Sequence, residues 1–194
     1  IPMIVEAIQD SDIERKVSLF LELEKICRKE AMFISSTSVF SITELAGKSR
    51  RPDRVMGVHF LYPVHKIKTV EIVRALTTSD ETYSNISEFI RRIGKKTVEV
   101  AECAGHISTR MQAVWINEAF DLLKTRVASA ADIDYIVKQA FATKYGPFEV
   151  ADRLGLDTIQ NWMKQLALQL GDPSYNPSTE LTRLVNAGFF GKKI

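Results

Sequence analysis

The sequence predicts an α/β fold with a parallel sheet in its first half, followed by an all-helical second half. Short apolar runs rich in β-branched residues alternate with amphipathic stretches up to Val100, whereas only helical patterns follow Gly105. Near the start, a strand, a helix and a second strand fit within about 30 residues, and such a βαβ unit requires a parallel sheet. A chain of 194 residues can bury one good core or two small ones. We therefore expect two domains, residues 1–102 and 103–194, with the boundary near Cys103.

The first domain is expected to contain five strands, at residues 3–8, 32–34, 55–60, 68–74 and 97–100. Helices are expected between them, at residues 11–28, 41–46 and 79–93. Ser11 or Asp12 suits the start of the first helix, because a short polar side chain there accepts from the first backbone N–H groups. Gly47 is expected to end the second helix in the left-handed conformation, and Gly94 to end the third.

The second domain is expected to be helical at residues 105–124, from Ser129 onward, and at 148–154, 157–170 and 177–185. The first of these helices carries apolar residues on more than one face, and a helix that is apolar nearly all round must be buried on most sides. A small domain offers few neighbours, so we expect a homodimer built mainly through the helices after Cys103. The alternative is that these residues pack on the first domain.

Composition and charge exclude several classes of function. Hydrophobic residues make up 45% and charged residues 26% of the chain, and a net charge of +2 does not favour nucleic acid or an anionic membrane. No apolar run approaches the roughly 18 residues that span a bilayer, and the start has no signal-peptide pattern. Cys27 and Cys103 form neither a disulfide framework nor a metal cluster, so we expect reduced thiols, no metal, and a cytoplasmic or organelle-matrix protein. The chain begins inside an apolar run without methionine, and we expect it to be a piece of a longer protein.

The residues that carry candidate chemistry lie between Ser35 and Glu71. His59 stands near the end of an apolar strand, and in open α/β sheets the carboxyl ends of strands face the ligand crevice. An imidazole there, with the Glu71 carboxylate able to fold back onto it, is suited to be a general base and its orienting group. The spacing is equally compatible with a structural histidine.

Six stretches resemble one known family. They are Ser-x-Thr-Ser-x-x-x-Ile-Thr-Glu from Ser35, Arg-Pro-x-Arg-Val-x-Gly-x-His-Phe-x-x-Pro-Val from Arg51, Lys-x-Val-Glu-Ile-Val from Lys68, and the segments 128–134, 146–157 and 188–193. They are similar to the 3-hydroxyacyl-CoA dehydrogenase family over nearly the whole chain. The resemblance implies a Rossmann-type NAD-binding domain and an all-helical dimerisation domain. It also implies NAD-dependent interconversion of L-3-hydroxyacyl-CoA and 3-ketoacyl-CoA, as in fatty-acid β-oxidation or butanoate-type metabolism.

The resemblance also assigns site residues. His59 matches the family's catalytic acid/base, Glu71 the glutamate that positions it, and Ser38 the serine that contacts both substrate and cofactor. Asp10 and Lys16 are the nearest matches to an acid and a lysine that contact NAD, with Lys193 as a further candidate. From spacing alone, Asp10 is equally well explained as a helix-initiating acid and Lys16 as a solvated lysine.

The sequence also departs from the family pattern. Ser36, Tyr62 and Thr109 replace three asparagines, of which the second lies near the nicotinamide and the third near the reacting thioester. We therefore expect Tyr62 on the cofactor side and Thr109 in the catalytic set. His106 has no counterpart in the family pattern at the domain junction. A surface or junction-filling role is favoured there over a catalytic role.

The G-x-G-x-x-G turn that binds the pyrophosphate occurs nowhere in the 194 residues. We expect the intact protein to be an enzyme, and this chain alone to be inactive and to bind no NAD in the micromolar range. The alternative for the intact protein is a catalytically silent or repurposed homologue that serves as a binding or assembly module.

Overall fold

The computed structural model describes residues 2–10 and 12–192, which divide into two compact units between Ile107 and Ser108. The first unit contains the strands β1 Met3–Glu6, β2 Met32–Ser35, β3 Val55–Phe60, β4 Thr69–Arg74 and β5 Lys96–Glu99, and the helices α1 Ile13–Ile26, α2 Ile42–Lys48 and α3 Asp80–Arg92. The second contains α4 Ser108–Lys124, α5 Ala130–Phe141, α6 Pro147–Leu154, α7 Leu156–Leu170 and α8 Thr179–Asn186. The predicted fold class, an α/β sheet domain followed by a helical domain, is confirmed.

The sheet has the order β1-β2-β3-β4-β5, so each strand pairs with the next one along the chain. The pairs β1–β2, β2–β3 and β4–β5 are parallel, whereas β3 and β4 are antiparallel. The parallel sheet expected from the sequence therefore holds for all pairs but one. The antiparallel register places His59 directly opposite Glu71. This pairing brings together two residues that the sequence separates by a loop.

The central strands are covered on both faces, which explains why they are apolar almost throughout. Phe33 of β2 belongs to a cluster with Phe20 of α1 and Leu45 of α2. Its neighbours Met32 and Ile34 point the other way, into a second cluster that includes residues of α3. Because alternate residues of a strand face opposite sides, one short strand contributes to two cores.

Local capping signals identify several helix ends correctly. The Asp12 carboxylate accepts from the Glu14 amide at 3.0 Å, and the Ser129 hydroxyl accepts from the Asp132 amide at 3.2 Å. Gly94 follows α3 with φ +79°. The expectation for Gly47 is wrong, because Gly47 lies inside α2, which continues to Lys48. The helix ends instead at Ser49, whose hydroxyl donates to the buried Glu24 carboxylate.

In the second unit, α4 packs against α6, α7 and α8. Ile116 and Phe120 are buried at 0% and 2% exposure, whereas Met111 and Val114 on the same helix are exposed. Within this unit, α4 therefore has one buried and one exposed apolar face. No helix in the described part of the chain is long and apolar enough to cross a membrane.

Candidate active site

The candidate site lies where β2 and β3 end side by side. These strands are parallel, so their carboxyl ends meet at one edge of the sheet. Ser38 follows β2 by a few residues, and His59 is the last residue but one of β3. The Ser38 hydroxyl oxygen is 3.2 Å from His59 Nε2. The structure thus brings together a hydroxyl and an imidazole that are 21 residues apart in the sequence.

Glu71 lies on the other side of the imidazole. Its Oε2 is 2.7 Å from His59 Nδ1, and both side chains are buried, with exposures of 6% and 9%. An ionised carboxylate only accepts hydrogen bonds, so Nδ1 carries the proton of the neutral ring and donates it to Glu71. The lone pair is consequently on Nε2, the nitrogen that faces Ser38. This arrangement gives His59 one defined proton-accepting atom.

The Glu71 carboxylate is itself held in place. Its second oxygen, Oε1, accepts a hydrogen bond from the backbone amide of Ile107 at 3.0 Å. One oxygen therefore orients His59 while the other is tied to the end of the first unit. A carboxylate fixed in this way orients the imidazole and stabilises it when it carries a proton.

His106 is a second imidazole beside His59. Its ring centroid is 5.6 Å from that of His59, its side chain is buried, and its Nε2 is 3.4 Å from the Thr37 carbonyl oxygen. Burial lowers the pKa of His106, and positive charge on His59 lowers it further. Among the described residues, its buried Nδ1 has no hydrogen-bond partner. His106 is therefore buried within the first unit, and the surface alternative is wrong.

No signal in the sequence indicated the contact between His106 and His59. It depends on two successive left-handed residues, Gly105 with φ +74° and His106 with φ +47°. Glycine adopts this conformation readily, but histidine does so only where its surroundings hold it. The turn directs the His106 ring and the Ile107 amide toward the same histidine–carboxylate pair.

Asp10 and Lys16 lie next to Ser38, in a buried cluster at the start of the chain. The Lys16 ammonium is 2.8 Å from Glu6 Oε1 and 2.9 Å from Asp10 Oδ1, and the Lys16 side chain is fully buried. Asp10 Oδ2 accepts from the Ser38 amide at 2.6 Å. The alternative that Lys16 is a solvated lysine is therefore wrong.

The remaining predicted site residues are Tyr62, Thr109 and Lys193. Tyr62 follows β3 and is half exposed. Thr109 lies in α4 of the second unit, where its hydroxyl is buried and has no hydrogen-bond partner among the described residues. Lys193 lies outside the described residues. Within the described ranges, no three His, Cys, Asp or Glu residues are grouped so as to hold a metal ion.

Comparisons with known proteins identify the family to which this fold belongs. Residues 1–103 match the family described as 3-hydroxyacyl-CoA dehydrogenase, NAD binding domain, and residues 105–194 match 3-hydroxyacyl-CoA dehydrogenase, C-terminal domain. The chain belongs to the 3-hydroxyacyl-CoA dehydrogenase family.

Two curated relatives illustrate how far the similarity extends. The chain is 38% identical over 191 residues to a probable 3-hydroxybutyryl-CoA dehydrogenase of Bacillus subtilis, covering 98% of this chain and 66% of the relative. It is 34% identical over 195 residues to the human mitochondrial hydroxyacyl-coenzyme A dehydrogenase, covering 98% of this chain and 61% of the relative. The chain thus spans somewhat less than two thirds of the length of these relatives.

Solved structures of the family superpose closely on this chain. FadB2 of M. tuberculosis has a TM-score of 0.93 at 29% identity, and the (S)-3-hydroxybutyryl-CoA dehydrogenase PaaH1 of Ralstonia eutropha has 0.90 at 34% identity. In both cases the match covers 98% of this chain and 67% of the solved chain.

Proposed function

We propose that the full-length protein catalyses the reversible, NAD-dependent oxidation of an L-3-hydroxyacyl-CoA to the 3-ketoacyl-CoA. The observation that carries this proposal is the arrangement of Ser38, His59 and Glu71 in one hydrogen-bonded line at the carboxyl edge of the sheet. Oxidation of an alcohol requires a group that accepts the hydroxyl proton. His59 Nε2 meets that requirement, since its lone pair faces the edge of the sheet while its other nitrogen donates to Glu71.

The roles of the three residues follow from their contacts. His59 takes the proton of the substrate hydroxyl at Nε2 and returns it in the reverse direction. Glu71 holds the ring in the reactive tautomer and stabilises the imidazolium that forms. The Ser38 hydroxyl holds the substrate oxygen close to Nε2, because it already lies within hydrogen-bond distance of that atom. Because the three groups are already in position, the proton transfer avoids the solvent reorganisation that it requires in water.

The residues present fit the nicotinamide end of NAD, which supplies the hydride acceptor when bound. Ser38 is only partly buried and Tyr62 is half exposed, so both retain surface for a ligand at the end of the sheet. The matched NAD-binding domain supports the choice of cofactor. Asp10 and Lys16 lie beside Ser38, but Lys16 has no exposed surface with which to touch a cofactor.

Thr109 is proposed to take the part of the family asparagine near the thioester. Its buried hydroxyl has no hydrogen-bond partner among the described residues, and a buried group of this kind requires one. The threonine hydroxyl donates and accepts through a single oxygen, whereas the asparagine amide has a separate donor and acceptor and a longer reach. The replacements at Thr109 and Tyr62 are the observations that favour the rival function, a silent homologue retained for binding or assembly.

The activity is tested by following NADH absorbance while the full-length protein reduces acetoacetyl-CoA. Turnover in the unmodified protein is the expected result, and it excludes the silent homologue. The variants Tyr62→Asn and Thr109→Asn then measure how each asparagine replacement affects kcat/KM. We expect each variant to raise kcat/KM by about tenfold or less, which corresponds to the free energy of one hydrogen bond. Absence of turnover in the unmodified protein, together with its appearance in an asparagine variant, would establish the silent homologue instead.

We also propose that the protein is a homodimer built through its second unit. Met111 and Val114 on α4, Ile136 and Phe141 on α5, and Leu168 on α7 are all exposed. Monomers rarely expose this much apolar surface on one small domain, and two-fold association is the commonest way to cover it.

The state of the cysteines supports a reducing location. Cys27 and Cys103 form no disulfide bond within the described part of the chain. Free thiols are stable where glutathione and thioredoxin keep proteins reduced, so we propose the cytoplasm or an organelle matrix. Fractionation of cells that express the protein tests this proposal.

A further inference from the structure

Lys16 is enclosed by oxygen atoms of its own chain. Its ammonium donates to Glu6 Oε1 at 2.8 Å and to the Ile8 carbonyl at 2.8 Å, and it forms an ion pair with Asp10 Oδ1 at 2.9 Å. The ammonium group has three protons and finds three oxygens within contact distance. Because the side chain has no exposed surface, a bound molecule cannot reach the ammonium unless this cluster opens.

The same contacts fix the loop between β1 and α1, which carries Asp10. Glu6 Oε1 also accepts from the Ile8 amide at 2.7 Å, so the Glu6 carboxylate binds the amide while Lys16 binds the carbonyl of one loop residue. Glu6 Oε2 accepts from the Ser35 hydroxyl at 2.6 Å, which ties the loop to the end of β2. Buried hydrogen bonds of ionised groups are among the strongest in proteins, so Asp10 has little freedom to move.

Asp10 in turn fixes the position of the Ser38 backbone. Its Oδ2 accepts from the Ser38 backbone amide at 2.6 Å, across a sequence separation of 28 residues. The hydroxyl of the same serine lies 3.2 Å from His59 Nε2. One residue is therefore held by its main chain to Asp10 and reaches the proton-accepting nitrogen with its side chain.

We propose that Asp10 and Lys16 are positioning residues, which act on His59 through Ser38. Lys16 fixes Asp10, and Asp10 fixes the Ser38 amide so that the hydroxyl stays within reach of His59 Nε2. This inference rests on the proposed function for its kinetic consequence, but the ordering of Ser38 is independent of any activity.

The structural part is tested by hydrogen exchange of the Ser38 amide, followed by NMR on the full-length protein. In Asp10→Ala the amide loses its acceptor, so its exchange is expected to accelerate by at least about tenfold. Asp10→Asn keeps the size and removes the charge, and it is expected to act in the same direction if the alanine variant does not fold. The Ile107 amide, which is bonded to Glu71, serves as the internal reference.

Asp12→Ala is the matched control, because Asp12 lies in the same loop and caps α1 without contacting Ser38. It is expected to leave the exchange of the Ser38 amide unchanged. If a folded Asp10 variant leaves the Ser38 amide as protected as in the unmodified protein, or if Asp12→Ala accelerates it equally, the proposal is wrong.

The kinetic part separates positioning from cofactor contact. We expect Asp10→Ala to lower kcat by about one to two orders of magnitude with little change in the KM for NAD. In a Ser38→Ala background, the same substitution is expected to add little, because its effect passes through the missing hydroxyl. A raised KM for NAD with unchanged kcat would overturn the proposal. A complete lack of activity in the unmodified protein would instead refute the proposed function, while the exchange experiment would still decide the ordering of Ser38.

Discussion

At the scale of single residues, the reactive atom of His59 is defined by what binds its other nitrogen. Glu71 accepts from Nδ1 at 2.7 Å, and the Ile107 amide keeps the carboxylate in that position. Ser38 then meets Nε2 from the opposite side. An imidazole with one nitrogen committed in this way presents a single basic site to a substrate, and it does so before any ligand arrives.

His106 gives the protein a pH dependence that can be measured without activity. Because burial lowers its pKa below the ordinary value of 6.5, the folded protein keeps His106 neutral at pH values where the unfolded chain already binds a proton. The unfolded state therefore binds more protons on acidification, so the free energy of unfolding falls as the pH drops through this window. We expect His106→Phe to weaken this fall by at most one proton, about 1.4 kcal/mol per pH unit.

Urea unfolding at about pH 7.5 and pH 5.5 measures this dependence in both proteins. His59 and His65 are present in both proteins, so the difference reports His106 together with its electrostatic interaction with His59. An equal loss of stability on acidification in the variant and the unmodified protein would show that His106 is not held neutral.

The sequence was informative about His59 and uninformative about His106 for physical reasons. The strand pattern placed His59 near a carboxyl end, and the family resemblance paired it with Glu71, which the antiparallel register then explains. His106 reaches the site only because its backbone adopts a left-handed conformation, which no side-chain pattern encodes. The burial of Lys16 was likewise hidden, since its three oxygen partners come from the preceding strand and loop.

At the scale of elements, two motifs of the second unit that are separated in sequence form one contact. Asp134 of α5 accepts from the Phe148 amide at 2.8 Å and the Glu149 amide at 3.1 Å, and so caps the start of α6. A carboxylate at this position satisfies two backbone donors that have no partner within the helix. Gly146 leaves room for it, since a Cβ atom there would lie 2.4 Å from Asp134 Oδ1.

We expect Gly146→Ala to destabilise the protein by about 1–3 kcal/mol, because the added methyl group forces the Asp134 carboxylate away from α6. Gly47→Ala is the control, since nothing lies within 4 Å of a Cβ at that helical position, and it is expected to stabilise by about 0.5–1 kcal/mol. Urea unfolding followed by circular dichroism measures both. A Gly146→Ala variant as stable as the unmodified protein would show that Asp134 does not depend on this space.

Element ends were predictable where they depend on neighbours in sequence. Asp12 and Ser129 cap their helices as expected, because the N-cap hydrogen bond spans only two or three residues. Gly47 was misassigned because the end of α2 depends on Ser49 and the distant Glu24. The hydrophobic pattern also could not predict the antiparallel pairing of β3 and β4, because a buried strand is apolar whichever way it runs.

At the scale of the whole molecule, each of the two units has its own core, and the apolar surface left over on the second unit is what remains to be covered. The sequence indicated an excess of apolar residues on α4 but not how they divide. The structure buries Ile116 and Phe120 within the unit and exposes Met111 and Val114. That division strengthens the argument for association through the exposed face.

We expect the protein to sediment at twice its monomer mass at low micromolar concentration. A Met111→Glu, Val114→Lys double variant is expected to shift it toward the monomer, because it places charges on the proposed interface. Leu76→Glu changes an even more exposed apolar residue of the first unit and is expected to leave the dimer intact. A single species at the monomer mass in the unmodified protein would contradict a dimer.

The role of His59 as proton acceptor is tested most directly by the effect of His59→Gln on acetoacetyl-CoA reduction by the full-length protein. Glutamine keeps a polar side chain but cannot transfer a proton, so we expect the rate to fall by about two to four orders of magnitude. His65→Gln, at an exposed histidine six residues further on, is expected to leave the rate unchanged. Undiminished reduction by a folded His59→Gln protein would show that His59 is not the proton acceptor, since no other described residue occupies the position between Ser38 and Glu71.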